Sequence, residues 1–138
     1  MTSGEKIMVC MDHGSHGERL IGRGGKLAGL LRCPLYVLSV IPVRSETLDP
    51  EREKELAIWR ARCQELGATF IVKSRKNRKT AEVIAEAARE HRITQLILGQ
   101  TGQTRLQEMM HGSLVHELIN RVGEVDVHVV CDRSGSAH

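Results

Sequence analysis

Aromatic side chains are nearly absent: Tyr36, Trp59 and Phe70 are the only three in 138 residues. Modules that hold single-stranded nucleic acid stack bases on clustered rings, and three scattered rings build no such platform. Long hydrophobic runs are missing as well. No stretch approaches the roughly 18 apolar residues of a membrane span, so no membrane insertion is expected. Residues 1–6 precede only the short run Ile7–Met11, too little for a signal-peptide core. The four cysteines, Cys10, Cys33, Cys63 and Cys131, show no C-x-x-C spacing, which removes the usual redox and zinc pairings. Cys10 and Cys131 stand inside apolar runs, where a free thiol acts as a small hydrophobe. That usage suits a reducing, cytoplasmic setting. Seven histidines without i, i+4 pairing or cysteine partners make no zinc site either.

Charge of one sign is also scarce. The net value is +3, from 20 Lys and Arg against 17 Asp and Glu. Five of the cations fall within Lys73–Lys79, and without them the balance is 15 against 17. The basic character is therefore one local patch. It suits the steering of an anion or of an acidic partner domain, or a plainly solvated loop. Nucleic-acid binding needs a broader footprint, so no nucleic-acid partner is expected.

What is present is a soluble globular balance, 41% apolar and 27% charged, in a length that fits one domain. A fold of this size buries roughly 68% of the surface its unfolded chain exposes and needs no staple. The expected boundaries are an extension over 1–5, the domain over 6–132, and a disordered tail over 133–138. Apolar runs over 7–11, 35–41, 69–72, 95–99 and 125–131 read as strands. Between them lie helical periodicities from Ser15 to about Arg32, from Glu51 to Leu66 with Gly67 as stop, from about Thr80 to His91, and from Gly112–Ser113 to about Val122. Strands alternating with helices predict an α/β fold: a doubly wound, five-stranded parallel sheet with helices on both faces. Gly22, Gly24, Gly25 and Gly29 fit the first helix poorly, and close packing of that helix on the sheet is the expected reason.

Ligands of open parallel sheets bind beyond the carboxyl ends of the strands, where strand order reverses. After the fourth strand the chain reads Gly99-Gln-Thr-Gly102, nine further residues, then Gly112-Ser113-Leu114, a G-x-x-G-x9-G-S pattern. Glycines there let backbone amides approach an anion. Gly112–Ser113 opens a helix whose free N–H groups and positive dipole end favour phosphate. Ser113 adds a hydroxyl donor or caps the helix. A loop turn followed by an N-cap accounts for the same residues equally well.

This pattern resembles the nucleotide loop of the universal stress protein family. The likeness runs over nearly the whole chain and is strongest to the stress-protein-like domain of the KdpD potassium-sensing histidine kinases. Glu18-Arg-Leu-Ile21, Arg105-Leu-Gln-Glu108, Gly112-Ser-Leu-Val115 and Asp126-Val-His-Val-Val130 carry it. The resemblance implies strand order 3-2-1-4-5, a Rossmann-like fold, an adenine nucleotide such as ATP in the crevice, any Mg2+ arriving with that nucleotide, and a homodimer. Carried over by position, Asp12 lies by the adenosine, Val40 packs on the base, Gly99, Gly102, Gly112 and Ser113 hold the phosphates, and Ser15 and Leu114 complete the expected nucleotide-binding set. Val115 stands where ATP-binding members commonly place a second hydroxyl, so ATP loses one donor here, worth about 1.5–3 kcal/mol if charge-assisted. Some KdpD domains bind cyclic di-AMP through S-x-S-x20-F-T-A-x-Y. Against that pattern only Ser15 matches by identity, and cyclic di-AMP ranks below ATP.

Two rival functions come from other classes. His13-Gly-Ser-His16 is similar to the His-x-Gly-His of nucleotidylyltransferases, with the glycine displaced by one position. Polar residues at a helix start explain it more simply. A protein-docking domain with an empty crevice is the other rival. Gly22-Arg-Gly-Gly-Lys26 lacks the spacing of a P-loop and falls mid-helix. With no P-loop lysine, carboxylate pair or activated nucleophile, the expected function is a non-enzymatic, adenine-nucleotide-binding regulatory module, with slow ATP hydrolysis at most. The sheet-edge strand over 125–131, with its unpaired backbone groups, is the expected dimer contact, and the other domains of a sensor kinase are further expected partners.

Overall fold

Strands and helices alternate along the chain: β1 (Ile7–Met11), α1 (Gly17–Leu31), β2 (Leu35–Ile41), α2 (Pro50–Leu66), β3 (Thr69–Ser74), α3 (Thr80–Glu90), β4 (Gln95–Gln100), α4 (Leu114–Val122) and β5 (Asp126–Cys131). The computed structural model describes residues 4–11, 17–41, 48–100 and 114–131. All five strands join one sheet in the order β3-β2-β1-β4-β5, and every pairing is parallel. The expected fold and strand order hold. β3 runs two residues further than its apolar pattern, because Lys73 and Ser74 continue the ladder opposite Val40 and Ile41.

Strand alternation sorts the core into two layers. Ile7, Val9, Met11, Val37 and Ile97 meet Leu20 and Ile21 of α1 and Leu56 and Trp59 of α2. Met8, Cys10, Leu38, Val40, Leu96 and Leu98 meet Val83, Ile84 and Ala87 of α3 and Leu118 of α4. With both faces covered, β1 is buried at all five positions, which is why it reads as an unbroken apolar run. Each buried aliphatic side chain contributes about 1.5–3 kcal/mol.

The α1 glycines divide by what surrounds them. At Gly24 a Cβ would collide with Val9 of β1, so the helix lies close on the sheet there. Gly25 instead faces α2, with Leu66 Cδ1 3.2 Å from where its Cβ would stand. Gly22 and Gly29 meet nothing within 4 Å. Packing on the sheet thus explains one of the four, and that expectation is corrected for the others. Gly17, at the start of α1, is a further packing glycine: a Cβ would run into Met11 and the Trp59 ring.

α2 shows its boundary signals in full. Asp49 accepts a hydrogen bond from Arg52 N at 2.8 Å, and Pro50 takes the first turn, where no N–H is needed. At the amino-terminal edge of the sheet the turns between helix and strand share one device. Arg32 (φ 52°), Gly67 (φ 70°), Arg92 (φ 54°) and Gly123 (φ 65°) each adopt the left-handed conformation after α1, α2, α3 and α4. The next amide then bonds back into the helix after α1, α2 and α3: Cys33 N to Ala28 O, Ala68 N to Cys63 O and Ile93 N to Ala88 O, at 2.8–3.0 Å. A latch on the same edge ties β1 to β4. Lys6 N donates to Thr94 Oγ1 at 2.9 Å, while Thr94 Oγ1 and Gln95 Nε2 both donate to Glu5. The Thr94 and Gln95 hydrogen bonds hold the Glu5 carboxyl below its ordinary range.

Candidate functional site

β1 and β4 are neighbours, with Cys10 beside Leu98, yet the chain leaves them in opposite directions. From β1 it crosses by α1 to β2; from β4 it crosses by α4 to β5. Their carboxyl ends, at Met11 and Gln100, are therefore the point of reversal where a crevice opens in such sheets. α4 starts at Leu114, directly after Gly112–Ser113, so the predicted Gly/Ser segment joins a strand end at the reversal to a helix start.

Asp12, Ser15, Gly102, Gly112 and Ser113 lie outside the described residues, as do His13 and His16. Val40, Gly99 and Leu114 lie within them. Val40 is buried on the α3 side, next to last in β2 and level with Lys73 of β3. Leu114 packs against that same apolar cluster, and so does Val115. Gly99 faces the other way: a Cβ there would stand 2.5 Å from Leu20 Cδ1 of α1. The fold therefore brings Val40 and Leu114 to one side of the sheet and turns Gly99 to the opposite side. Close passage of α1 is by itself sufficient reason for a glycine at position 99.

The basic segment beside the strand ends is largely engaged in ion pairs. Lys73 Nζ lies 2.9 Å from Glu86 Oε1 and 2.6 Å from Glu90 Oε1. Arg78 Nη1 lies 2.5 Å from Glu86 Oε2. Lys79 Nζ reaches Glu117 Oε1 in the first turn of α4 at 3.1 Å, and Arg121 lies 3.8 Å from Glu82 of α3. Burial works against the Lys73 charge, but Glu90 and Glu86 outweigh it and raise its pKa. The Lys73 and Arg78 hydrogen bonds bring Glu86 down to about 2. Among the described residues of this segment, Arg75 and Lys76 are the cations left without a carboxylate partner, and Arg75 N is fixed to Ile41 O at 2.7 Å. Sequence reading missed the Lys79–Glu117 and Arg121–Glu82 ties between α3 and α4, because partners this far apart in the chain carry no local pattern.

Of the described residues near the strand ends, Cys10 is the one nucleophile carried by β1. Burial pushes the Cys10 thiol far up, leaving it a packing group. Among the described residues no three His, Cys, Asp or Glu side chains are grouped to hold a metal ion. No described helix is long and apolar enough to cross a membrane.

The sequence model of the universal stress protein family matches residues 4–130. The chain belongs to that family. A putative sensor protein KdpD from Synechocystis is 28% identical over 128 residues, which cover 93% of this chain and 34% of the relative. The chain thus spans about a third of that relative's length. Among solved structures, a universal stress protein in complex with cAMP superposes with a TM-score of 0.68 at 19% identity, over 94% of this chain and 98% of the other. The universal stress protein from Archaeoglobus fulgidus in complex with dAMP gives 0.58 at 20% identity, over 94% and 98%. At such identities the structural likenesses establish the Rossmann-like α/β fold.

Proposed function

We propose that this domain is a regulatory module that binds an adenine nucleotide of ATP type beyond the carboxyl ends of β1 and β4. The observation that carries the reading is the reversal point itself. There a Gly/Ser segment, Gly99 to Ser113, connects the end of β4 to the start of α4. Main-chain N–H groups at the α4 start and the hydroxyl of Ser113 take the phosphates. Asp12 and Ser15 lie by the nucleoside, Val40 lies below the base, Gly102 and Gly112 admit close backbone approach, and Leu114 seats the helix on the core. Mg2+ enters with the nucleotide. Support comes from family membership and from the cAMP and dAMP held by the two stress proteins of the same fold. The KdpD relative favours a sensory role within a potassium- or osmotic-stress histidine kinase, on the cytoplasmic side and in contact with other kinase domains.

Titration calorimetry with ATP, AMP and cyclic di-AMP tests this. ATP is expected to bind with stoichiometry near one, and Gly112→Asp abolishes the heat by filling the anion space and adding like charge. Unchanged affinity in that variant removes the segment from the site. Absence of heat with all three nucleotides favours a docking domain instead, a reading supported by the packing role of Gly99. The proposed homodimer joins through the β5 edge, where Val129 is 39% exposed. Sedimentation showing only monomer at high concentration overturns it.

A further inference from the structure

The segment Lys73–Lys79 sends one cation across to the helix that opens the candidate nucleotide site. Lys73 and Arg78 are tied to Glu86 and Glu90, carboxylates of α3 itself. Lys79 instead reaches α4, where its Nζ lies 3.1 Å from Glu117 Oε1. Glu117 follows Leu114, the first residue of α4, by about 4.5 Å along the axis, and helical side chains lean toward the amino end. The Lys79 ammonium therefore stands beside the first turn of α4, whose leading N–H groups find no partner within the helix. The start of α3 also adjoins the place proposed for the base. Ala81, two residues after Lys79, shares one apolar cluster with Val40, and Leu114 packs against the same cluster. Arg75 and Lys76 are worse placed for phosphate. They follow β3, which β2 and β1 separate from β4, a span of about 14 Å at ordinary strand spacing.

The setting of Lys79 suits an exchange of partners. It occupies the N-cap of α3 without a side-chain cap bond, where an acceptor stabilises and a cation meets the positive end of the helix. A nearby anion offsets that cost. Its pair with Glu117 is exposed, 68% and 38% for the two side chains, so it is weak, screened, and readily given up to an anion of higher charge. A phosphate chain is such an anion. The neighbouring tie of Arg121 to Glu82, at 3.8 Å, and the fully buried Leu118 keep α4 seated when Lys79 turns away.

We propose that Lys79 is a phosphate-contacting residue of the nucleotide site: its ammonium leaves Glu117 for the phosphate chain at the start of α4, and Glu117, left in place, limits how tightly that chain is held. This inference rests on the nucleotide reading given above and adds to it the residue pair that sets affinity for phosphate. Carboxylate and phosphate compete for one ammonium, and no covalent bond changes.

Lys79→Gln and Glu117→Gln remove the same ion pair, which makes the sign of their effects the test. A pair that only holds α3 to α4 shifts ATP affinity in one direction in both variants. A phosphate ligand and its competitor shift it in opposite directions. In titration calorimetry of the full chain with ATP at low salt, Lys79→Gln is expected to weaken binding about tenfold, the worth of one charge-assisted hydrogen bond. Glu117→Gln is expected to tighten it about two- to fivefold, the worth of an exposed ion pair. Arg121→Gln cuts the other tie between the helices and is expected to leave ATP affinity unchanged. Melting temperatures without nucleotide verify that each variant is folded. Shifts of the same sign in the first two variants, no shift in either, or a loss in Arg121→Gln equal to that in Lys79→Gln overturns the role of Lys79 and leaves the nucleotide reading standing. Absence of ATP binding in the wild type overturns that reading and this inference together.

Discussion

Leu20 of α1 lies over Gly99 of β4, so that a side chain at position 99 would begin 2.5 Å from Leu20 Cδ1. The obstructing atom is the far end of a flexible side chain, and the first helix can yield slightly. Gly99→Ala is therefore expected near the low end of overpacking costs, about 1 kcal/mol. Leu20→Ala alone loses burial and leaves a cavity, about 2–5 kcal/mol. The double variant relieves the crowding, so urea unfolding should show a total below the sum, with a coupling of about 0.5–1 kcal/mol. Strict additivity refutes the packing role and leaves phosphate approach as the reason for this glycine.

The same logic ranks the glycines of α1. At Gly24 the obstacle is a methyl of Val9, a β-branched residue held in the central strand, which has little room to move. Gly24→Ala should cost about 1–3 kcal/mol. Gly22 and Gly29 have open surroundings, and alanine there should stabilise by about 0.5–1 kcal/mol through helix propensity and a less flexible unfolded chain. Chemical denaturation of the three single variants decides it: a loss at Gly22 or Gly29 would mean that the helix surface is packed after all.

Arg92 offers a backbone test away from the candidate site. Its φ of 54° places a residue with a Cβ in a conformation that costs an L-residue about 1–2 kcal/mol. The turn keeps the Ile93 N to Ala88 O bond whichever residue occupies position 92. Arg92→Gly is expected to raise stability by about 1 kcal/mol, or about 3 °C in melting temperature for a domain of this size. A lower melting temperature would show that the Arg92 side chain contributes more than its backbone strain removes.

The architecture was legible because parallel strands covered on both faces must be apolar throughout, as in Ile7–Met11 and Leu35–Ile41, and because Pro50 and Gly67 mark the ends of α2. The helix glycines were legible only as an anomaly. Identical residues serve three situations in α1, against the sheet, against α2 and in open space, and only the packing distinguishes them. The Lys73–Lys79 run looked like one basic patch, yet three of its five cations meet carboxylates on α3 and α4. Pairing across that sequence distance leaves no local signature. Of the candidate site, the strand reversal and the start of α4 at Leu114 follow from topology. Val40 and Gly99 fall on opposite faces of the sheet, as the alternation of their strands dictates.

Glu86 links this ion-pair cluster to acid stability. Hydrogen bonds from Lys73, then Arg78, and their charges depress its pKa to about 2 from an ordinary glutamate value of 4.5. A carboxyl with a depressed folded-state pKa binds its proton more readily in the unfolded chain. Its stabilising contribution is therefore complete above pH 4.5 and declines as pH falls toward 2. Urea midpoints of the wild type should fall across that window, and Glu86→Gln should fall less steeply. Glu5, also depressed, keeps part of the slope in the variant. The Glu86 side chain is 38% exposed, so solvent and salt screen the pairs. Near 1 M salt, where the screening length is about 3 Å, the difference between wild type and variant should shrink. Parallel acid slopes at low salt would show that Lys73 and Arg78 do not hold this carboxylate in solution.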